Sequence, residues 1–236
     1  MVETDYYIGN KWNKCLAVLA DIHARRYTEI FTLVKKRCVD FILIPGDFVD
    51  GKVIEKTEEH SNVIKNANIL LNQLSLVAPT YFSLGNHEKL LSNNERDNLR
   101  RSNAVLLDDE YREILSGLYI GGLSSAKVAG IKYSEPRIDF LDKYEKLDGF
   151  KILLCHHPEY YDKYLKDRKL DLIISGHAHG GQVRILNQRL YAPGQGFFPK
   201  YTSGLYDGKF VISRGIAGTE IFPRINNEPE VVYVHI

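Results

Sequence analysis

The most informative part of the sequence reads LIISGHAHGG, at residues 172–181. The apolar run at 172–174 predicts a buried strand. His177 and His179 follow it at once, and the glycines on both sides permit a tight turn. Neutral imidazole is the commonest metal ligand in proteins. The stretch therefore predicts a strand whose end presents metal ligands.

Four other apolar runs end in the same kinds of polar side chain. The run at 15–20 is followed by Asp21 and His23, and the run at 40–44 by Asp47. The run at 80–84 is followed by Asn86 and His87, and the run at 151–155 by His156 and His157. Six of the eight histidines lie at these five strand ends. The ends of successive strands in an α/β sheet converge on one edge, where ligand sites form. We therefore predict that the five clusters form one site.

The donor types indicate the chemistry of that site. For Asp21, Asp47 or Asn86 taken singly, a helix N-cap is the alternative interpretation, because each precedes a helix-like stretch. Together with the histidines, the ligand interpretation is preferred. Imidazole, carboxylate and amide donors suit Mn²⁺, Fe²⁺ or Zn²⁺ better than Mg²⁺ or Ca²⁺. The set is large enough for two divalent ions that share a carboxylate.

The order of predicted elements indicates the fold class. Strands and helices alternate through the first part of the chain, with helices predicted at 27–38, about 55–77, 137–147 and 159–169. Hairpins are predicted at 111–123 and 201–213, the second around the turn Asp207-Gly208. Strands predominate after residue 181. The pattern predicts one α/β domain over residues 1–236, with sheets in the middle and helices outside.

Composition excludes several classes of protein. Lys and Arg number 31 against 30 Asp and Glu, and 44% of residues are hydrophobic, which excludes disorder and gives no electrostatic footprint for nucleic acid. No run approaches the roughly 18 apolar residues of a membrane span, and residues 1–10 lack a signal-peptide pattern. Three unpatterned cysteines predict no disulfide framework. We expect a cytoplasmic protein, the alternative being loss of an N-terminal anchor.

The five clusters resemble, in order, the motifs of the calcineurin-like metallophosphoesterase superfamily. They read Asp21-x-His23, Gly46-Asp47, Gly85-Asn86-His87-Glu88, His156-x-Pro158 and Gly176-His177-Ala178-His179. The resemblance covers the chain from about residue 15 to its end. Residues 176–183, 201–206 and 213–215 are also similar to the bacterial YkuE-like branch of that superfamily.

The resemblance implies a fold and a set of ligands. The fold would be a four-layer sandwich of two mixed β-sheets flanked by helices, with the metal site at the strand ends. The first ion would take Asp21, His23, Asp47 and His179, and the second Asp47, Asn86, His156 and His177. Asp47 would bridge the two ions.

The resemblance also implies catalytic residues. His87 would lie over the phosphate, where it stabilises charge or protonates the leaving oxygen. Glu88 stands where the family usually has Asp, and its carboxylate would accept a hydrogen bond from His87 and set the tautomer of that ring. Ala178 stands where the family usually has Thr, which removes only a hydroxyl.

The implied activity is hydrolysis of phosphomono- or phosphodiester bonds by in-line attack of a hydroxide that bridges the two ions. The substrate would be a phosphorylated small molecule or a lipid-linked phosphate. Pyrophosphatase activity on a UDP-sugar or a lipid is the alternative, with residues 108–148 as an insertion-sized candidate for substrate contacts. A non-catalytic metal-binding scaffold is a further alternative. A nuclease would need a basic groove, which the sequence does not indicate.

Several residues near the clusters have two interpretations. Arg25 and Arg26 could bind a substrate phosphate or lie in a solvated loop, and His157 could bind substrate or form the wall of the cleft. A Gly-rich tract carries aromatic residues that could line a substrate groove, with core packing as the default. These residues are Phe197, Phe198, Tyr201 and Tyr206.

Overall fold

The computed structural model describes residues 1–9, 11–23, 27–49, 57–88, 91–126, 135–185, 188–217 and 223–236. Within these ranges the strands are β1 (Val2–Tyr7), β2 (Cys15–Val18), β3 (Phe41–Ile44), β4 (Thr80–Phe82), β5 (Val105–Leu106), β6 (Glu110–Leu115), β7 (Leu118–Leu123), β8 (Phe150–Cys155), β9 (Leu172–Ser175), β10 (Arg184–Ile185), β11 (Gln188–Arg189), β12 (Tyr191–Ala192), β13 (Gly196–Phe197), β14 (Gly204–Tyr206), β15 (Phe210–Ile212) and β16 (Glu230–His235). The described α-helices are α1 (Tyr27–Lys36), α2 (Thr57–Ser75), α3 (Asn93–Arg100) and α4 (Ile138–Tyr144).

Twelve of the described strands form two six-stranded mixed sheets, and β10–β11 and β12–β13 form separate two-stranded sheets. The first has the order β1-β16-β2-β3-β4-β5, and β2 to β5 run parallel to one another. The second has the order β14-β15-β9-β8-β7-β6, and β15, β9, β8 and β7 are parallel. Antiparallel pairs occur between β16 and β2, between β14 and β15, and between β6 and β7. These sheets confirm the predicted pair of mixed sheets.

The alternation of side chains along β2 shows how the layers stack. Leu16 and Val18 are buried in the cluster that fills the space between the two sheets. Ala17 and Leu19 belong to the cluster under α1, α2 and α3. Successive side chains of a strand point to opposite faces, so helices α1 to α3 cover the outer face of the first sheet.

The outer face of the second sheet is covered in the same way. Leu153 and Ile173 pack with Phe140 and Tyr144 of α4 and with Tyr161. The order of layers is therefore helices, sheet, sheet, helices, as the resemblance implies. The two inner faces share an apolar core, and this brings the carboxyl ends of both sets of parallel strands to one edge of the sandwich.

Most predicted elements are present, and the hairpins β6–β7 and β14–β15 are confirmed. Two differences stand out. The helix predicted at 159–169 is a 3-10 turn at Pro158–Tyr160 followed by a single π turn at Tyr161–Leu165. Strand β1 was not predicted, because polar residues interrupt its apolar pattern. It occupies the edge of the first sheet, where half-exposed polar side chains are tolerated.

The aromatic tract divides into buried and exposed rings. Tyr201 is 5% exposed and packs against Tyr161 and Phe210, which confirms core packing for this residue. Phe197 and Phe198 are 78% and 72% exposed, so the core interpretation is wrong for them. The difference arises because hairpin β12–β13 carries Phe197 outside the layered core.

Candidate metal centre

The five polar clusters follow β2, β3 and β4 of the first sheet and β8 and β9 of the second. Hydrogen bonds join these loops both within each sheet and across the two sheets. The backbone N–H of His177 donates to both carboxylate oxygens of Asp21 at 3.1 Å, and the N–H of Asp21 donates to the Gly46 carbonyl at 3.4 Å. The N–H of Gly176 donates to the His156 carbonyl at 3.2 Å. The predicted convergence of the strand ends is therefore present in the fold.

One group of possible ligands consists of Asp21, His23 and His179, whose donor atoms lie within 4.8 Å of one another. Nε2 of His179 is 3.6 Å from Oδ1 of Asp21. Nδ1 of His179 is 3.1 Å from the Ala217 carbonyl oxygen. Because a carbonyl only accepts hydrogen bonds, Nδ1 carries the proton, and the lone pair of Nε2 is directed towards Asp21.

A second group consists of Asp47, His156 and His177, again with donor atoms within 4.8 Å of one another. Nε2 of His156 is 2.9 Å from Oδ2 of Asp47 and 4.0 Å from Oδ1 of Asp21. Asp47 also belongs to a third group, with His87 and with His23, a member of the first group. Asp47 therefore lies between the two groups, at the position where a shared ligand is expected.

The backbone is strained at most of these residues. Asp21, His23, Asp47, His177 and His179 all have φ between 45° and 64°. Residues other than glycine rarely adopt this left-handed conformation, and it persists only where the surrounding structure imposes it. Five of the seven predicted ligands share the strain, which is typical of a functional site.

Two glycines permit the close approach of the loops. A Cβ atom at Gly176 would lie 2.6 Å from Oδ2 of Asp21, and one at Gly85 would overlap Oδ1 of Asp47. Both positions therefore require a residue without a side chain. These glycines of the motifs therefore allow the loops to pack closely against the Asp21 and Asp47 carboxylates.

Two buried donor atoms indicate that the site suits metal ions. Nε2 of His23 and Oδ1 of Asn86 are buried and have no hydrogen-bond partner among the residues that the structure describes. Buried polar atoms in folded proteins are almost always satisfied. A nitrogen and an amide oxygen left open at these strand ends fit a divalent transition metal.

Burial keeps three of the histidines neutral. It lowers the pKa of His23 to about 4 and that of His179 to about 3, and it holds the pKa of His177 well below the usual range. Neutral imidazole is the form that binds metal. Their surroundings thus favour the protonation state that a metal ligand needs.

His156 behaves in the opposite way. Burial alone would lower its pKa, but the carboxylates of Asp47 and Asp21 outweigh burial and raise it to about 9. Burial likewise opposes ionisation of Asp47, yet His156 and His87 hold the pKa of Asp47 well below its usual value. Asp47 and His156 form a buried ion pair when no metal is bound.

The lowered pKa values predict a loss of stability in acid. Below pH 6.5 the unfolded chain takes up protons on His23, His177 and His179 that the folded protein does not accept. The free energy of unfolding of chelator-treated protein should fall as the pH drops from 6.5 towards 5. Each proton contributes a limiting slope of about 1.4 kcal/mol per pH unit. Urea denaturation at a series of pH values measures this slope, and a flat profile would contradict the assignment of neutral histidines.

The Glu88 carboxylate has different partners from the one that the resemblance implies. It is fully buried and accepts four backbone N–H groups, with distances between 2.7 and 2.9 Å. The donors are Asp47, Phe48, Val49 and Gly85. None of its described hydrogen bonds goes to His87. Glu88 therefore joins the loop after β3 to the loop after β4 and fixes the backbone of Asp47.

His87 lies at the open side of the site. Its backbone N–H donates to Oδ1 of Asp47 at 3.0 Å, and its ring contacts the ring of His23 edge-on at 4.5 Å. The side chain is 19% exposed, compared with 0% for His156 and 3% for His179. His87 is thus accessible to a substrate at the centre. Arg25 and Arg26, the other predicted contacts with substrate, lie outside the described residues.

Two residues near the C-terminus hold the loops of the first group and were missed by sequence reasoning. Asn227 is buried and donates to the carbonyls of His179, at 2.6 Å, and Gln182, at 3.2 Å. Arg224 donates to the carbonyls of Gly215 and Ala217, and Ala217 is also the partner of the His179 ring. No periodic pattern or motif surrounds these residues, so only the fold reveals them.

A fourth group of possible ligands lies against His177. It consists of His157, Glu159 and His177, with donor atoms within 4.8 Å of one another. His157 is buried, and its ring centroid is 4.4 Å from that of His177. The cleft-wall interpretation of His157 agrees with this placement. Glu159 was overlooked, although its position directly after His156-x-Pro158 was a usable signal.

Comparison with known proteins identifies similar sequences. A family model described as calcineurin-like phosphoesterase matches residues 16–181. An uncharacterized metallophosphoesterase of Bacillus subtilis, YkoQ, is 28% identical over 92% of this chain and 82% of its own length. An uncharacterized metallophosphoesterase of Aquifex aeolicus is 28% identical over 84% of this chain and 72% of its own.

A bovine relative adds a different context. It is a transmembrane protein with a metallophosphoesterase domain, and it is 27% identical over 92% of this chain and 51% of its own length. Among the residues described here, no helix has the length and apolar character needed to cross a membrane.

Comparison of folds agrees with the sequence matches. A dimetal phosphatase from Danio rerio superposes with a TM-score of 0.54 at 13% identity, covering 71% of this chain and 82% of its own. At this level of identity the match concerns the fold alone. It supports the sandwich of two mixed sheets described above.

Proposed function

Since this chain belongs to the calcineurin-like phosphoesterase family and is a hydrolase of phosphoric ester bonds, we propose that it uses two divalent metal ions to hydrolyse phosphomonoesters or phosphodiesters. The observation that carries the proposal is the pair of adjoining ligand groups with Asp47 between them. The similarity in fold to a protein described as a dimetal phosphatase supports it.

The two groups would divide the ligands. Asp21, His23 and His179 would hold one ion, and His156 and His177 the other, with Asp47 shared. Asn86, whose Oδ1 is buried without a described partner, would complete the second set. The two ions, which we propose to be Mn²⁺, Fe²⁺ or Zn²⁺, would supply Lewis-acid activation of water and neutralise charge on the phosphoryl oxygens. The protein's part is to hold the donors rigidly, which the strained backbone and the buried Glu88 carboxylate do.

His87 would act on the substrate rather than on an ion. Its accessible ring lies beside the ligand groups, and its backbone is fixed by Asp47. From this position an imidazole can donate a proton to the leaving oxygen or stabilise charge on the phosphoryl group. Such a proton donor must lie within hydrogen-bond reach of the leaving atom once substrate binds.

The test combines metal analysis with a substrate panel. Protein loaded with Mn²⁺, Zn²⁺ or Fe²⁺ should contain two equivalents and hydrolyse p-nitrophenyl phosphate or bis-p-nitrophenyl phosphate. Fewer than two equivalents in fully loaded protein would contradict the two-ion scheme. Hydrolysis confined to a UDP-sugar or another pyrophosphate would replace the ester proposal with the pyrophosphatase alternative.

Replacing histidines in pairs tests how the ligands are divided. His177→Ala and His179→Ala should each leave one metal equivalent, because each removes a ligand from a different group. The double variant should lose both ions. Combining His177→Ala with His156→Ala should still leave one, because these two ligands belong to the same group. Elemental analysis after dialysis measures the outcome, and His235→Ala is the control, since His235 pairs with Asp5 outside the site. Loss of both ions from either single variant would contradict the division.

A further inference from the structure

Four side chains beside the metal centre form a continuous chain of polar contacts. Oγ of Ser125 is 2.6 Å from Nε2 of His157. Nδ1 of His157 is 3.4 Å from Oε1 of Glu159, and the same oxygen is 3.9 Å from Nε2 of His177. The chain thus runs from the end of β7 to a proposed ligand of the second ion.

The chemistry of the four groups assigns the protons in this chain. An ionised carboxylate attracts N–H groups and repels nitrogen lone pairs, so Glu159 favours N–H groups at Nδ1 of His157 and Nε2 of His177, which lie 3.4 and 3.9 Å from its Oε1. A neutral imidazole carries one proton. Nε2 of His157 is therefore the acceptor for the Ser125 hydroxyl. Nδ1 of His177 keeps its lone pair.

The surroundings hold this arrangement in place. Ser125 and His157 are each 1% exposed, and the Glu159 side chain is 16% exposed. The Ser125 N–H donates to the Leu84 carbonyl at 2.8 Å, which ties the end of β7 to the loop after β4. The backbone of Gly194 packs directly over the Glu159 carboxylate, where a Cβ atom would overlap it. In such a poorly hydrated place, the attraction between a carboxylate and a nearby N–H group is stronger than in water.

We propose that Glu159 is a positioning residue whose charge attracts the Nε2–H of His177 and so directs Nδ1 of His177 towards the second metal ion, while His157 and Ser125 support the carboxylate. The inference rests on the proposed function, in which His177 is a ligand. Metal-binding histidines commonly donate their other N–H to a carboxylate in this way.

The first test is metal affinity in Glu159→Gln. The variant keeps the size of the side chain but removes the negative charge that faces both histidines. Titration of chelator-treated protein with Zn²⁺ should show one site at wild-type affinity and the second weakened roughly 10- to 100-fold. Glu110→Gln, on the exposed edge strand β6, is the matched control and should keep both affinities. Two sites of wild-type affinity in folded Glu159→Gln protein would overturn the proposal.

A second variant covers the case in which Glu159→Gln does not fold. Ser125→Ala removes only the far end of the chain, so the second site should weaken about two- to tenfold, the range expected for loss of one hydrogen bond. If Glu159→Gln does not fold, an unchanged Zn²⁺ affinity of the second site in Ser125→Ala would overturn the proposal.

The tautomer of His177 gives a readout that does not depend on activity. In protein labelled with ¹⁵N-histidine and loaded with Zn²⁺, His177 should show a protonated Nε2 and a metal-bound Nδ1. Its signals are identified by their loss in His177→Asn. The Nε2–H signal should be lost or shifted in Glu159→Gln. A protonated Nδ1 in the wild type would overturn the proposal.

Metal stoichiometry separates this inference from the function on which it rests. A third Zn²⁺ equivalent in the wild type that is absent from Glu159→Gln would overturn the inference, because the carboxylate would then be a ligand itself. A single equivalent in the wild type would contradict the two-ion proposal. The tautomer of His177 in metal-free protein would then still decide the role of Glu159.

Discussion

Asp47→Ala is expected to lose both metal ions and all measurable hydrolysis. Asp47 lies between the two ligand groups, with Oδ2 at 2.9 Å from Nε2 of His156. Its Oδ1 accepts the backbone N–H of His87 at 3.0 Å, so the same carboxylate also fixes the proposed proton donor. No other described carboxylate belongs both to a group with His23 and to a group with His156. Loss of affinity should exceed the roughly 10- to 100-fold that removal of an outer hydrogen-bond partner costs.

Asp47→Asn separates loss of charge from loss of structure. The asparagine keeps an oxygen that can accept the His87 N–H, so the fold around the loop should be maintained. It removes the negative charge that both ions would share, and this loss should weaken metal binding even though the pKa of His156, which that charge raises, should fall. Elemental analysis and circular dichroism of the two variants, beside the His235→Ala control, give the result. Retention of two tightly bound ions by Asp47→Asn would show that Asp47 is not the shared ligand.

His87→Ala is expected to keep two metal ions and to lose turnover by about 10²- to 10⁴-fold, the range for general acid catalysis. The metal content should be unchanged because the ring of His87 is assigned to neither ion. Its backbone N–H bond to Asp47 does not depend on the side chain. Removal of an interaction made only in the transition state lowers kcat and leaves KM nearly constant.

The dependence on the leaving group makes this test specific. A phosphate ester of an alkyl alcohol needs a proton on the departing oxygen, whereas p-nitrophenolate leaves without one. The loss of kcat in His87→Ala should therefore be much larger for the alkyl ester than for p-nitrophenyl phosphate. Equal losses for both substrates would assign charge stabilisation rather than proton donation to His87. Loss of one metal equivalent would make the residue a ligand instead.

The apolar strands and the polar residues at their ends were predictable from local pattern. A run such as 172–174 must be buried, and the parallel arrangement then brings the following residues to one edge. The identity of the donors indicated a metal centre before any geometry was known. The resemblance to a family depends on the same clusters, and the match to residues 16–181 confirms the family. Its YkuE-like branch stays a prediction.

Other features depend on contacts between distant parts of the chain. Glu88 was expected to orient His87, but the loop after β3 folds over it and supplies three of its four backbone donors. Phe197 was expected in the core but lies at the surface. Its local sequence does not indicate that its hairpin lies outside the layers. Asn227 contacts His179 across 48 residues of sequence.

Sequence alone thus determined which residues are collected at the edge of the sheets, because burial of apolar strands is a local property that composition and spacing express. It also determined the chemical class of the site through the kinds of donor present. The division of the ligands into two groups around Asp47, the tautomer of His179 and the contacts of Glu88 and Glu159 were decided only by the tertiary structure. Each depends on distances and directions between loops that follow different strands. Hydrogen bonds form only within a range of a fraction of an ångström, and the spacing of residues in the sequence does not determine distances between such loops. The stretch at 172–181 predicted two ligands, and the fold places these two histidines in different groups of possible ligands.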